Sequence, residues 1–407
     1  MKRSLLFTLA LVVMSSGAVA GDTKTEKRMA ALILPMDKES EALTLKVEGY
    51  ANEALGEYPG LTVKTSDDLF GIATDEEAAA SLKRADTGFK ESKAAFDDRN
   101  YEDAERKLRA TIKEYGKAVG AMKGCGNLCD TVAMYGAVLQ ARGDVEEAKI
   151  AILDLLALNP TFELDRKRFP QNFLSLKAQV ATGRNAQLRG NVVVKTRPAG
   201  ARVYLNGELQ GFTPLTLQTL PIGKTLVRIE RPGFRQLGVL VDVTPEDQEI
   251  TQDLVATTGY KAFDSLMDRL AGEALKDKGG ATMNSVASSL KLDRAVIGVL
   301  RDGQNETTEL TMAYFDLKSG KRIAIKRASF QGDEFGQLKG EVGRMVNHLL
   351  NSSDSGNKET VKSSDPLDNR SGMEEWRGED KGGKNTRRDK NSKGGDPLDN
   401  SNGTDDW

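Results

Sequence analysis

The sequence predicts a multidomain α+β protein: helical hairpin repeats, a small all-β sandwich and a discontinuous α/β domain, with a disordered C-terminal tail. Three observations carry this reading. Between Gly190 and Leu254, turn signals recur at a spacing of roughly 8–12 residues with alternating apolar and polar residues between them, as a β-sandwich requires. From Glu76 onward, apolar residues recur at helical spacing for about a hundred residues. Residues 29–71 read β-α-β with nothing to complete a sheet, and two strands bury no core alone; residues 258–350 supply helices and strands that lack a beginning. The expected segments are 1–20 (signal peptide), 28–75 (first half of the α/β domain), 76–185 (helical), 188–256 (sandwich), 258–350 (second half of the α/β domain) and 351–407 (tail).

Met1–Ala20 reads as a targeting segment rather than fold material. Lys2 and Arg3 precede an apolar run, Leu5–Met14, and Ala18-Val19-Ala20 forms an A-x-A cleavage site. The run is too short for a bilayer, which takes about 20 apolar residues. No cysteine follows the cleavage site, so no lipid anchor is expected, and no later stretch is apolar enough to span. The expected protein is periplasmic or secreted and does not span a membrane after cleavage; a membrane-anchored N-terminus is the alternative.

In the first α/β segment, Ala31–Leu34 is strand-like. A helix from about Ser40 places Leu43, Val47, Tyr50, Ala51 and Leu55 on one face, and Leu61–Lys64 reads as a second strand. In the helical region Leu82, Ala85, Phe89 and Phe96 form one stripe, and Tyr101, Ala104, Leu108, Ile112 and Tyr115 the next, with Asp98-Arg99-Asn100 as the break. A second pair carries Val132, Tyr135 and Leu139, then Gly143-Asp144, then Val145, Ala148, Ile152 and Leu155, closing at Asn159-Pro160. The pattern A-x-x-x-G-D-x-x-x-A with its closing N-P is similar to a tetratricopeptide repeat, and Phe96, Tyr101 and Ala104 form a weaker copy. That resemblance implies stacked hairpins that grip peptides or partner proteins; a plain helical spacer is the alternative. A helix over Phe169–Val180 is expected to cap the array.

Cys125 and Cys129 are the only cysteines, and in an oxidising compartment so close a pair reads as a disulfide within a loop marked by Gly124, Gly126 and Asn127. A metal site would need four ligands, and the sole histidine, His348, is far away in sequence.

The β module opens with Val192–Thr196, turns at Pro198-Ala199-Gly200, and runs on through Ala201–Leu205 to Asn206-Gly207, a strong short hairpin signal. An apolar run to Leu220, the turn Pro221–Lys224, the strand Thr225–Arg231, the turn Pro232-Gly233-Phe234 and the strand Val239–Val243 follow. The stretch PAGARVYLNGELQGFTPLTLQTLPIGKTLVRIERPGF resembles the PEGA domain, keeping Pro198, Gly200, Ala201, Gly207, Gly211, Thr213, Pro214, Gly223 and Gly233. It departs at Ala199, where the name-giving glutamate is missing, a position expected on an exposed turn. The resemblance implies a sandwich of bacterial envelope and surface proteins without an active site of its own. The Gly207–Gly211 stretch is expected to be a loop.

In the last folded segment, Tyr260, Phe263, Leu266, Met267 and Leu270 mark an amphipathic helix. Met283–Leu290 is a short helix, Ala295–Leu300 a buried strand, Leu310–Phe315 and Arg322–Ala328 a hairpin, and Phe335–Leu349 a final helix. Joined to the first segment the order is β-α-β-α-β-β-β-α. It resembles the amino-terminal domain of TolB-like periplasmic proteins at ALILPM, LTVKTSDDLFG, SLKLDRAVIGVL and YFDLKSGKRI. The expectation is that Ala31–Leu34 shares a sheet with Val296–Val299.

The tail from Asn351 is too polar to offset its ordering entropy. It nevertheless repeats DPLDNRSGMEEW at Asp365–Trp376 and DPLDNSNGTDDW at Asp396–Trp407, which hold both tryptophans of the chain. A solvated tail has no structural use for Trp, whereas interfaces do. Asp365, Pro366, Leu367 and Trp376, with Asp396, Pro397, Leu398 and Trp407, are therefore candidate partner-binding residues, two copies of which would raise avidity. A chance tandem duplication is the alternative. Their carboxylates do not follow the EF-hand spacing.

A net charge of −2 gives no reason to expect nucleic acid. No G-x-S-x-G, Walker A or H-E-x-x-H is present, and His348 is expected on a helix surface. No catalytic residue, cofactor or metal is expected. The leading function is an exported, non-enzymatic scaffold or adaptor of the bacterial cell envelope, gripping envelope proteins through helical repeats and tail motifs. The alternative is a surface module that binds cell wall or glycan.

Overall fold

The computed structural model describes residues 27–183, 188–303, 307–331 and 337–354. The signal-peptide reading of Met1–Ala20 and both tail motifs lie outside the described residues.

Strand β1 (Lys27–Pro35) is followed by α1 (Lys38–Glu41), α2 (Thr44–Gly56), β2 (Leu61–Val63) and α3 (Ser66–Phe70). The single helix expected from about Ser40 is thus broken near Ala42-Leu43. Asp37 caps α1 by accepting from the Ser40 amide at 2.8 Å, and Ser40 itself is buried.

Five helices come next: α4 (Glu76–Asp97), α5 (Tyr101–Ala118), α6 (Gly126–Arg142), α7 (Val145–Leu158) and α8 (Gln171–Gly183). The hairpin breaks fall where turn-compatible residues stand, with Arg99 (φ 57) between α4 and α5 and Gly143 (φ 96) after α6. No helix here buries its stripe alone. Phe96, Leu108, Tyr115, Leu128, Val138, Ile152, Leu155 and Phe173 belong to one shared core. At the centre α6 is packed on several sides, and a Cβ on Gly136 would lie 3.1 Å from the Phe173 ring and 3.3 Å from Ala151.

Two sheets follow. Strands β3 (Arg189–Arg197), β4 (Arg202–Leu205), β5 (Glu208–Phe212), β6 (Leu215–Pro221), β7 (Gly223–Glu230), β8 (Leu237–Val243) and β9 (Gln248–Asp253) form a three-stranded sheet β6-β3-β9 and a four-stranded sheet β5-β4-β7-β8. Between them lie Val192, Val194, Val203, Leu217, Val227, Ile229 and Val243, the inward members of alternating strands. One expectation is corrected, and one strand is added to those read from the sequence. Glu208–Phe212 is a strand rather than a loop, because Asn206 and Gly207 (φ 50 and 99) make the two-residue turn that pairs it with β4. The polar run Gln248–Asp253 also forms a strand, paired in parallel with β3; as an edge strand it needs only one half-buried face.

The chain then forms α9 (Thr258–Asp264), α10 (Met267–Ala274), α11 (Ala281–Leu290), β10 (Arg294–Asp302), β11 (Thr308–Asp316), β12 (Lys321–Phe330) and α12 (Gln337–Asp354). The amphipathic helix expected here is two helices, α9 and α10. Asn351, the expected start of the tail, lies within α12, which continues to Asp354 with Leu349 and Leu350 buried in its last turns.

Both ends of the described chain build one five-stranded sheet, β12-β11-β10-β1-β2, in which β1 runs parallel to β2 and β10, and Ala31 stands opposite Val296 and Leu34 opposite Val299. Helices cover both faces, which explains why β1 is a continuous apolar run. Met29, Ala31 and Ile33 pack with α2 and α12, while Ala30, Leu32 and Leu34 pack with α10 and α11.

Candidate partner-binding site

The site grows from a turn. Arg231-Pro232-Gly233-Phe234 follows β7 and reaches the N-terminal turns of α2 and α3, the helices that follow β1 and β2. In open α/β sheets the crevice outside the carboxyl ends of such strands is the usual ligand position. Here the sandwich's own Arg231 and Pro232 stand in it, with Leu32, Thr44, Glu48, Ser66 and Tyr260, around a residual cavity of about 30 Å³, space for about one water.

The groups in that crevice are polar and partnered. Glu48 is 5 % exposed; its carboxylate accepts from the Ser66 amide at 2.8 Å and from the Ser66 hydroxyl at 2.6 Å. Burial raises its pKa, and the Ser66 hydrogen bonds only partly offset this. Arg231 is 4 % exposed, donates to the Ala199 carbonyl and lies 5.5 Å from the Phe234 ring centroid. Burial likewise raises the Tyr260 hydroxyl, against the opposing pull of Arg231.

Ala199, expected on an exposed turn, is instead part of this joint. Its amide donates to Glu41 Oε2 at 3.1 Å, so a carboxylate of the α/β segment reaches the turn where the PEGA pattern carries its own glutamate. Arg202 on β4 pairs with Asp67 on α3 at 2.8 Å. Backbone links close the joint: Gly233 donates to Gly71 O at 2.6 Å, Ala73 to Phe234 O at 3.0 Å, Gln236 to Ala73 O at 2.9 Å and Thr257 to Gly233 O at 2.8 Å. The segment entering the helical region and the segment leaving the sandwich are therefore held by one turn.

A second joint binds the sandwich to the helices. Lys224 on β7 meets Asp154 on α7 at 2.6 Å, and its amide donates to the same carboxylate at 3.0 Å. Asn206, the hairpin residue, donates to Ala157 O at 2.9 Å. Leu226 joins the helical core itself.

Beside the first joint lies an open cleft of about 460 Å³. Leu69 and Phe70 on α3, Tyr260, Phe263 and Leu266 around α9, and Val286 and Leu290 on α11 line it, with Ser285 and Ser289 at hand. Phe70 stands 4.9 Å from Phe263 and 5.4 Å from Tyr260, centroid to centroid. The lining carries no charged side chain, so the cleft suits one apolar group with a few hydroxyl contacts. A larger groove of about 780 Å³ runs along α5 to Arg142. Most of its charges are already paired: Arg106 with Asp103, and Arg109 and Arg142 with Glu105 at 2.9 and 3.2 Å.

Cys125 and Cys129 are disulfide-bonded with Cα atoms 5.5 Å apart. The bond does not lie in a loop as expected: Cys125 is the N-cap of α6 and Cys129 sits in its first turn, fully buried. A four-residue offset places two side chains on one helix face. His348 is exposed on α12. Asp365, Pro366, Leu367, Trp376, Asp396, Pro397, Leu398 and Trp407 lie outside the described residues. Among the described residues no cluster of three or more His, Cys, Asp or Glu side chains is placed to hold a metal ion. Sequence reasoning missed Phe70, Glu41 and the burial of Arg231; the only local signal was an arginine set against an R-P-G-F turn.

These features define a multidomain protein of mixed helix and sheet, with several sheets, in which a β-sandwich is wedged between a helical array and an α/β sheet. Residues 189–257 match the family model of the PEGA domain. No curated protein and no solved structure matches the chain.

Proposed function

We propose that this protein is an exported, non-enzymatic scaffold or adaptor of a bacterial cell envelope. The observation that carries the reading is the double joint: Arg231–Phe234 and Lys224/Asn206 lock the PEGA sandwich to both neighbouring modules, and a body so braced presents separate surfaces in fixed relation. The PEGA match supports an envelope or extracellular setting. No helix among the described residues is long and apolar enough to cross a membrane. In this reading the helical hairpins are tetratricopeptide-like, the five-stranded sheet is TolB-like, and the two DPLDN…W copies are tethered hooks whose shared linker raises effective concentration.

Photocrosslinking in cells from Trp376 and Trp407, compared with a chain lacking residues 355–407, tests this. Defined protein partners lost on tail deletion support the adaptor; capture of nothing but wall polymer removes it.

The second reading, wall or glycan binding, is favoured by the outward face of β3, β6 and β9. That face is polar, with Lys195 and Glu249 paired at 2.7 Å beside exposed Thr216, Gln218 and Thr251. Sedimentation of the tail-deleted chain with purified wall separates the two readings.

A further inference from the structure

β12 is an edge strand ten residues long. Its beginning is closed: Lys278 bridges to Lys321, Arg322 N donates to Asp277 O at 3.0 Å, and the Arg322 side chain donates to Leu275 O at 3.1 Å. From Ile323 to Phe330, among the described residues, nothing pairs with the side facing away from β11. Eight residues of strand offer about 26 Å of unpaired backbone. Such an edge is a template for another strand.

Charge restricts what can add. The strand KRIAIKRASF contains four basic residues and no acidic one. Lys326 and Arg327 are exposed on opposite faces of it, and Arg301 lies near Arg327 around a 180 Å³ cavity in which Glu309 is the sole acid. A second copy of β12 pairing antiparallel about its middle would set either Lys326 or Arg327 directly against its own equivalent, and like charges directly opposite are destabilising. Lysine on an edge thus excludes self-association while it admits a strand of opposite charge.

We propose that the outer edge of β12, from Ile323 to Phe330, docks an extended acidic segment of a partner protein, which joins the sheet as a sixth strand. This rests on the adaptor reading and names the chemistry of one partner.

The test uses the full chain and a fluorescein-labelled nine-residue peptide alternating Glu with Val, read by anisotropy. The peptide is expected to bind, to lose at least tenfold in affinity against Lys326→Glu/Arg327→Glu, and to lose binding when alternate amides are N-methylated in one of the two registers. A peptide with Lys in place of Glu should not bind. Both substituted residues are exposed, so an unchanged melting curve should accompany the loss. Absence of binding, equal binding by the charge-reversed chain, or equal binding by both N-methylated peptides overturns the inference, as does sedimentation showing a dimer that the charge reversal abolishes. If the edge fails while tail crosslinks still recover protein partners, the adaptor reading stands without it.

Discussion

The ammonium of Lys224 lies 2.6 Å from the carboxylate of Asp154, joining a strand of the sandwich to a helix of the array. Burial opposes ionisation at both ends. At Lys224 the attraction of Asp154 outweighs burial and raises the pKa, whereas at the more deeply buried Asp154 burial wins and raises the carboxyl. Asp154→Ala removes the acceptor of both the Lys224 amide and ammonium, and should cost about 2–3 kcal/mol, less than a fully buried pair because Lys224 keeps some solvent. Adding Lys224→Met should recover part of the loss. A double-mutant cycle in thermal unfolding checks this, and additive effects would show that the pair is not coupled.

Gly233 leaves no room for a side chain. Its φ is +81, a conformation that L side chains rarely adopt, and a Cβ there would lie 2.2 Å from Tyr260 Cδ2. Gly233→Ala should lower stability by about 2–4 kcal/mol through strain and displacement of Tyr260. It should also speed protease cleavage near residues 71–75 and 254–258. Gly259→Ala, where the added methyl meets open space, should change neither.

The Cys125–Cys129 bond closes a very short loop, worth about 2 kcal/mol on the chain-entropy model. Cys125→Ser/Cys129→Ser should therefore lower the melting temperature modestly while leaving the helical circular dichroism intact, because the core of Leu128, Val132 and Ile152 does not depend on it. Loss of the helical signal at ambient temperature would contradict this.

Asp293 and Glu48 should give opposite pH dependences. The side chain and amide of Arg28 donate to Asp293 and hold its pKa below the ordinary 3.8. Its stabilisation is complete above that value and is lost as the pH falls through the lower folded-state value. Glu48 is raised above its ordinary 4.5 by burial, so its contribution is complete below 4.5 and is lost as the pH rises through the higher folded-state value. Glu48→Gln keeps partners for the Ser66 amide and hydroxyl and should flatten the fall of stability above pH 4.5. Denaturation midpoints across pH 3–7 for both chains measure it, and an unchanged slope would count against ionisation at Glu48.

Much of the local architecture is legible residue by residue. Asn206-Gly207, Gly143-Asp144 and Asp98–Asn100 mark their turns because φ preferences and capping are short-range. The stripes of α5 and the alternation of β7 show because burial imposes periods of 3.6 and 2. Where local pattern misleads, packing has overridden it. Gln248–Asp253 is polar yet pairs with β3, and the run from about Ser40 to Leu55 reads as one helix yet breaks at Ala42-Leu43, just after Ser40 turns inward toward Leu300 O.

From its own order of residues the chain specifies the sandwich turns, the helical stripes and the proximity of its two cysteines, since each depends on neighbours within a few positions. The joints were settled elsewhere. That Arg231 is buried, that Glu41 meets Ala199 and that Arg28 holds Asp293 from 265 positions away depends on which distant surfaces pack together, and no periodicity encodes that. The apolar cleft beside Phe70 and Tyr260 exists only because two segments separated by the whole helical array and sandwich close on one another.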